Sequence, residues 1–354
     1  MTNVSKTEPK HILFSVLNWG LGHATRSIPV ISELLNRDFK VTIASDGLPL
    51  LLLKETFQHA NFLELPGLEI KYSKNKNQLL AIGQSAAKNP SWFLKERKVL
   101  KEFLTQNKVD GIISDNRPTA FSKVIPSVYI THQLQVKAGI YGSVASFGHR
   151  SFFKNYNQIW VPDFEENTLA GDLSKKVSGS NIHYIGALSD LTLRKTVPKF
   201  DLGIILSGPE PQRTILEEIL LDELISTDFK IKLIRGTTEP LQKKIKPDWE
   251  IIDLANRKFI QELYNNSIVL IARSGYSTLM DLYTLPKPAI LIPTPNQPEQ
   301  EYLASLPYHQ HNFEIQSQAK FNLKDGIVSA KRKFQSFRPV PKSSVNFDEL
   351  FMLF

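Results

Sequence analysis

The sequence predicts an α/β protein of two doubly wound parallel-sheet domains facing each other across a cleft. Three observations predict it. Short apolar runs rich in Ile and Val alternate with helix-period segments almost from end to end. The runs are continuously apolar, as strands buried on both faces are, and their alternation with helices implies right-handed βαβ crossovers. The pattern then restarts after a polar, proline-containing stretch, "TLRKTVPKFD" (192–201). A chain of 354 residues exceeds one ordinary domain. The division is expected near residue 195, giving domains 1–194 and 195–354.

In the first half "HILFSVL", "VTIAS", "NFLEL", "VDGIISD", "PSVYIT" and "QIWVPD" read as buried strands. Helical stretches lie between them: "ATRSIPVISELLNR", "PLLLLKETF" and one within "NPSWFLKERKVLKEFLTQNK". "IHYIGALSDL" leads to the linker. Beyond it, "LGIILSGPEPQ", "FKIKLIRG", "WEIIDLA", "IVLIARSG" and "PAILIPT" read as strands, with "QRTILEEILLDELIS" a helix. Two such sheets in tandem place a ligand cleft between the carboxyl ends of their strands. The tail, "AKRKFQSFRPVPKSSVNFDELFMLF", is basic and then apolar, and its last residues read as a helix docking back onto the first domain.

Composition narrows the function. The chain has no cysteine, which excludes disulfides and thiolate metal sites and fits a cytoplasmic protein. The formal net charge of +8 suits nucleic acid, anionic lipid or phosphorylated substrates. The lysines are scattered and no aromatic-basic motif accompanies them, so nucleic acid is not an expected partner. No apolar run approaches the roughly 18 residues that cross a bilayer. "MTNVSKTEP" reads as a disordered leader, not a signal peptide, because the apolar segment after it lacks a small-residue cleavage site.

Three loops carry chemistry. "NWGLGHATRS" (18–27) joins the first strand to the first helix. Gly20-Leu21-Gly22 is part of a dinucleotide fingerprint, but Thr25 stands where the third glycine belongs, although Asp46 follows the second strand in the place of a ribose ligand. The loop therefore reads as a turn at the ligand face. His23, at the helix start, has its pKa lowered by the dipole, and as neutral imidazole it suits a general base. The alternative is a histidine that only caps the turn.

The second loop lies within "IARSGYSTLMDLYTLPKPAILIPTPNQPEQEYLA" (271–304). A strand ends at Arg273, Ser274-Gly275 turn, and a helix begins with Ser277, Thr278 and Asp281. Its backbone N–H groups suit a diphosphate, and Asp281 suits ribose hydroxyls. Asn296, Gln297, Gln300 and Glu301 follow the next strand and suit sugar hydroxyls, or they belong to a solvated loop. The third is "SGPEPQRT" (207–214), in which Gly208 and Arg213 suit an anion; Arg235, with Thr237 and Thr238 in "RGTTE", ends the next strand similarly.

These loops, in this order, resemble those of the GT-B class of glycosyltransferases, with two Rossmann-like domains, and most closely the MurG-like family 28. "WGLGHATRSIPV" resembles that family's G-G-T-G-G-H loop. "ARSGYSTLMDL" resembles its R-S-G-A-x-T-x-x-E donor motif, with Asp281 for the glutamate. "PTPNQPEQEYLA" falls where the family has a proline-led loop with glutamines. The resemblance implies transfer of a sugar from a UDP-sugar, such as UDP-GlcNAc or a related hexose, to an acceptor hydroxyl, inverting and without metal or other cofactor. It implies an acceptor-side N-terminal domain and a donor-binding C-terminal domain. Carried over, His23 lies beside the reaction centre, oriented by Asp115 at the end of "VDGIISD". Asp281 meets the ribose; Arg213, Ser274 and Gly275 lie near the diphosphate; Gln297 and Gln300 face the donor sugar. Gly20, Gly22, Gly208, Arg235, Arg273 and Thr278 complete the expected nucleotide-sugar set.

Two motifs depart. "YITHQLQVKAG" replaces the family's H-E-Q-N loop, so Gln133 stands where a glutamate would be, and "SGPEPQR" keeps one glycine and the arginine of G-G-S-x-G-A-R. The acceptor is therefore open, a lipid-linked one included. "WFLKERKVLKEFL" (92–104) either rests on anionic membrane or packs on the sheet with a solvated face. The protein is expected in the cytoplasm or at the inner face of the membrane. Two rival readings are a UDP-sugar 2-epimerase of the same architecture and a non-catalytic sugar-nucleotide-binding subunit of a membrane glycosylation complex.

Overall fold

The computed structural model describes residues 8–67, 90–135, 151–166, 168–178, 181–243, 245–340 and 345–354. Much of the loop after "YIT" and most of the leader lie outside them. Among the described residues the first sheet contains β1 (His11–Val16), β2 (Lys40–Ser45), β3 (Asn61–Glu64), β4 (Gly111–Asp115), β5 (Ser127–Ile130), β6 (Gln158–Val161) and β7 (Ile182–Tyr184). Its order is β3-β2-β1-β4-β5-β6-β7 and every pairing is parallel. The second sheet contains β8 (Phe200–Ile205), β9 (Ile231–Ile234), β10 (Glu250–Ile252), β11 (Ser267–Ala272), β12 (Ala289–Leu291) and β13 (Glu314–Ile315). It repeats the plan in the order β10-β9-β8-β11-β12-β13, again parallel. The expected strands are present. β7 and β13 were not foreseen, because strands of three and two residues carry no periodic signal.

Among the described residues the α-helices are α1 (Gly22–Asn36), α2 (Gly47–Thr56), α3 (Pro90–Gln106), α4 (Gln212–Leu224), α5 (Arg257–Asn266), α6 (Tyr276–Thr284), α7 (Pro298–Ser305), α8 (Pro307–Asn312), α9 (Leu323–Gln335) and α10 (Phe347–Phe351). The continuous apolar runs become strands buried on both faces: every residue of β1 and of β4 is buried. α3 packs Leu100, Val99, Phe103 and Leu104 into a cluster with Leu13, Val109 and Ile112, so it lies on the sheet. Its Leu94 alone among those apolar side chains stands well out, at 68% exposure.

In each sheet the strand order reverses once, between β1 and β4 and between β8 and β11, and ligands bind outside the carboxyl ends there. The two reversal points meet through α1 and α6. Ser277 Oγ donates to the Gly22 carbonyl at 3.1 Å, and a Cβ on Gly22 would stand 2.8 Å from that oxygen. Ala24 and Ile28 of α1 share one contiguous apolar cluster with Tyr276, Leu279 and Met280 of α6. The segment 192–199 is strapped along α5, where Thr192 N–H donates to Gln261 (2.8 Å) and Arg194 N–H to Asn265 (2.7 Å). The tail returns to the first sheet: Phe351 and Phe354 meet Trp160, and Phe354 lies against Gly111.

Candidate active site

The loop leaving β1 turns at Gly20, whose φ of +69° is a left-handed conformation that glycine adopts freely. The turn starts α1 at Gly22, so His23, Arg26 and Ser27 share one face, three and four residues apart. That face looks onto the end of β4, which pairs with β1 and places Asp115 beside Val16. His23 Nδ1 lies 2.8 Å from Asp115 Oδ1. Arg26 donates to both oxygens of Asp115, with Nε–Oδ2 at 2.8 Å, and Ser27 Oγ donates to Oδ2 at 2.9 Å. Thr25, the residue that spoiled the glycine fingerprint, bonds back to the Gly22 carbonyl (3.0 Å). Asp46 is turned inward, accepting from Arg117 (2.7 Å) and Asn18 (2.8 Å).

Burial works against ionisation of Asp115, but the Arg26 guanidinium and His23 beside it prevail and hold its pKa far below the usual carboxylate range. An ionised carboxylate only accepts, so Nδ1 of His23 carries the hydrogen and Nε2 keeps its lone pair. Burial, reinforced by Arg26, lowers the His23 pKa, with Asp115 opposing. The histidine is thus neutral and oriented, as a general base must be.

The network continues across the cleft. Arg26 Nη1 lies 3.1 Å from His132 Nδ1, which therefore accepts, leaving Nε2–H to donate to Glu299 Oε1 at 3.0 Å. Gln133 Nε2 donates to the other oxygen of Glu299. The His132 ring stacks on Tyr276, centroids 4.1 Å apart, and Tyr276 Oη donates to the Pro162 carbonyl at 2.7 Å.

A cavity of about 350 Å³ opens between the domains. Its first-domain wall includes Trp19, Gly20, Gly22, His23, Arg26, His132 and Gln133. The second domain contributes Gly208, Arg257, Gly275, Thr278, Asp281, Gln297, Glu299 and Gln300. Of the residues expected from the sequence, the structure gathers His23, Gly20, Gly22, Gly208, Gly275, Thr278, Asp281, Gln297 and Gln300 on this wall, with Asp115 directly behind His23. At the start of α6 the Leu279 N–H is the first to close on Gly275, so the preceding N–H groups of that turn are free for an anion.

Four expected residues sit behind the wall, and the reason is local pairing. Arg213 contacts Glu210 (2.5 Å) and Glu217 (3.3 Å). Arg235 contacts Glu217 and Asp253, both at 2.6 Å. Ser274 Oγ donates to the Gln300 carbonyl (3.0 Å), which fixes α7 to the turn before α6. Arg273 is buried with carbonyls as partners, among them that of Gln212, and burial pushes its guanidinium pKa down to about 10. Asp281 lies on the wall but already accepts from Arg257 at 2.7 and 2.9 Å.

Sequence reasoning missed Arg26, His132, Arg257 and Glu299. Arg26 was one helical turn from His23, and Glu299 stood between Gln297 and Gln300, so spacing pointed to both. Arg257, at the start of α5, gave no comparable signal. Among the described residues no group of three or more His, Asp or Glu side chains is placed to hold a metal ion. No described helix is long and apolar enough to cross a membrane.

Two parallel sheets of this order, with a cavity between their reversal points, define the GT-B architecture. Residues 212–328 match the glycosyltransferase family 28 C-terminal domain, and the chain as a whole has the GT-B fold. Among curated proteins it is similar to the UDP-N-acetylglucosamine–N-acetylmuramyl-(pentapeptide) pyrophosphoryl-undecaprenol N-acetylglucosamine transferase of Leptospira interrogans, 24% identical over 54% of this chain. The chain spans 62% of the length of that relative. Among solved structures it is similar to the glycotransferase of kitacinnamycin (TM-score 0.64, 14% identity, 98% of this chain and 99% of that one). MurG of Acinetobacter baumannii covers the same shares of the two chains, with a TM-score of 0.52 and 14% identity.

Proposed function

We propose that this protein transfers a sugar from a nucleoside-diphosphate donor to an acceptor hydroxyl in the interdomain cavity. One observation carries the reading: a neutral histidine, oriented by a buried aspartate, faces a cavity whose opposite wall belongs to a family 28 C-terminal domain. His23 Nε2 takes the proton of the acceptor hydroxyl as its oxygen bonds to the anomeric carbon. The bond from that carbon to the diphosphate oxygen breaks, and attack from the opposite face inverts the configuration. Charge growing on the diphosphate is met by the free N–H groups opening α6 and by the Gly208 turn, in place of a metal ion. Asp281 with Arg257 faces the ribose, and Gln297 and Gln300 the donor sugar.

The donor in this reading is a UDP-hexose, and UDP-GlcNAc is the first to test because the Leptospira relative is named for it. That relative's name also contains a pyrophosphoryl-undecaprenol acceptor, which motivates a lipid-linked acceptor here. Work at the inner membrane face follows from that acceptor and is supported by the +8 charge and by exposed Lys95, Lys98 and Lys101 on α3. We assign the acceptor side to residues 1–194 and the donor side to 195–354. The epimerase and idle-subunit readings are not favoured, since the matched domain and the similar structures are those of glycosyltransferases.

The test is a thermal-shift screen of nucleotides and nucleotide sugars, because a ligand that binds the native state stabilises it by mass action. UDP and UDP-sugars are expected to raise Tm, and UDP release is expected only with an acceptor present. No stabilisation by any nucleotide overturns the reading. Conversion of a UDP-sugar to its epimer without acceptor replaces it.

A further inference from the structure

Gln133 stands where the resembled loop has a glutamate, yet a carboxylate from the second domain meets that loop. Glu299, in the first turn of α7 in the second domain, reaches across and accepts from both His132 and Gln133. We propose that Glu299 is a positioning residue that balances charge for His23, making its basicity depend on α7 being docked against the first domain. The inference rests on the role given to His23 above.

The argument is one of charge. His23 stands in a buried cluster with Arg26, Asp115, His132 and Glu299, drawn from α1, β4, the loop after β5 and α7; Tyr276 of α6 stacks on its far side. With both histidines neutral, Arg26 and Asp115 cancel and Glu299 leaves the cluster at about −1 by formal charge. A proton taken by His23 then brings the cluster to neutrality. Without Glu299 the same proton would leave a net positive charge in a buried site, and His23 would be a weaker base. Burial opposes ionisation of Glu299, but His132, His23 and Arg26 together hold its pKa below the usual value. On its own helix, Glu301 is turned away, accepting from the Asn296 N–H (2.9 Å).

Glu299 is held in place from its own domain as well. It lies between Gln297 and Gln300, on the turn whose Gln300 carbonyl is held by Ser274.

Titration of the His23 imidazole by NMR in the ligand-free full chain is the test, since it needs no substrate. Glu299→Gln is expected to move the His23 titration to lower pH, and Gln133→Glu added to it to move the titration back. In the transfer assay, Glu299→Gln is expected to lower kcat several-fold and shift the acid limb of the pH profile to lower pH, with KM for the nucleotide sugar unchanged. An unchanged His23 titration in Glu299→Gln, or a shift that Gln133→Glu fails to reverse, overturns the proposal. Failure of the glycosyltransferase reading is recognised separately, as absent nucleotide binding by the unsubstituted chain, with the titrations still readable.

Discussion

His23 Nδ1 and Asp115 Oδ1 stand 2.8 Å apart, although the two residues are 92 positions apart in the chain. The contact exists because β1 and β4 are neighbours in the first sheet, so the loop leaving one strand and the last residue of the other open on the same reversal point. It directs Nε2 to the cavity, and the first prediction tests that. His23→Ala is expected to lower transfer by about 10²–10⁴-fold, the usual worth of a general base, with UDP affinity unchanged by calorimetry. Unaltered turnover would remove the base assignment.

Asp115→Asn tests the support behind the base. It leaves Arg26 buried beside a neutral amide, and breaking a buried ion pair costs about 3–5 kcal/mol. A large fall in Tm is expected together with the loss of activity. Arg26→Met with Asp115→Asn is expected to recover stability without recovering turnover.

Asp281 is predicted to matter through the donor. Asp281→Asn keeps the shape but weakens the hold of Arg257 and the charge offered to ribose hydroxyls. A loss of about 1.5–3 kcal/mol in UDP binding is expected, the worth of a hydrogen bond to a charged group. Isothermal titration decides it, and intact affinity would mean that the ribose lies elsewhere.

His309 makes stability depend on pH. It is buried between the Tyr283 hydroxyl (2.9 Å) and the Leu169 carbonyl (2.8 Å), and burial lowers its pKa to about 4. Between about pH 4 and 6.5 the unfolded chain binds a proton that the native protein refuses, so its contribution is complete above about 6.5 and falls as pH drops toward 4. The loss approaches about 3 kcal/mol at the lower end. Denaturant midpoints across this range should show the slope, and His309→Gln should flatten it.

Gly22 and Ser277 are predicted to be coupled. A methyl group on Gly22 meets Ser277 Oγ and displaces its bond to the Gly22 carbonyl. Gly22→Ala is expected to cost about 1 kcal/mol, and Ser277→Ala in that background to recover part of it, as contacting residues do in a double-mutant cycle. Additive Tm changes would show that the two domains do not touch there.

Much of the fold was legible because it is written locally. Continuous apolar runs such as "HILFSV" and "SIVLIA" became β1 and β11, and the polar stretch after residue 191 became the strap between the sheets. The glycine turn, His23 and the start of α6 were legible as well, since a turn or a helix start is set by a few adjacent residues. The arginines were not. Whether Arg213 and Arg235 face a ligand or a carboxylate depends on Glu217 and Asp253, and neither spacing nor charge count shows which contact forms.

The sequence by itself determined two α/β units, a histidine at a glycine turn and an aspartate at a strand end. Only the tertiary structure decided that Arg26 meets His132 across 106 positions and that His132 meets Glu299 across 167. The physical reason is that periodicity and turn chemistry act over a few residues. The partners of a buried charge are fixed instead by sheet order and by the approach of one domain to the other.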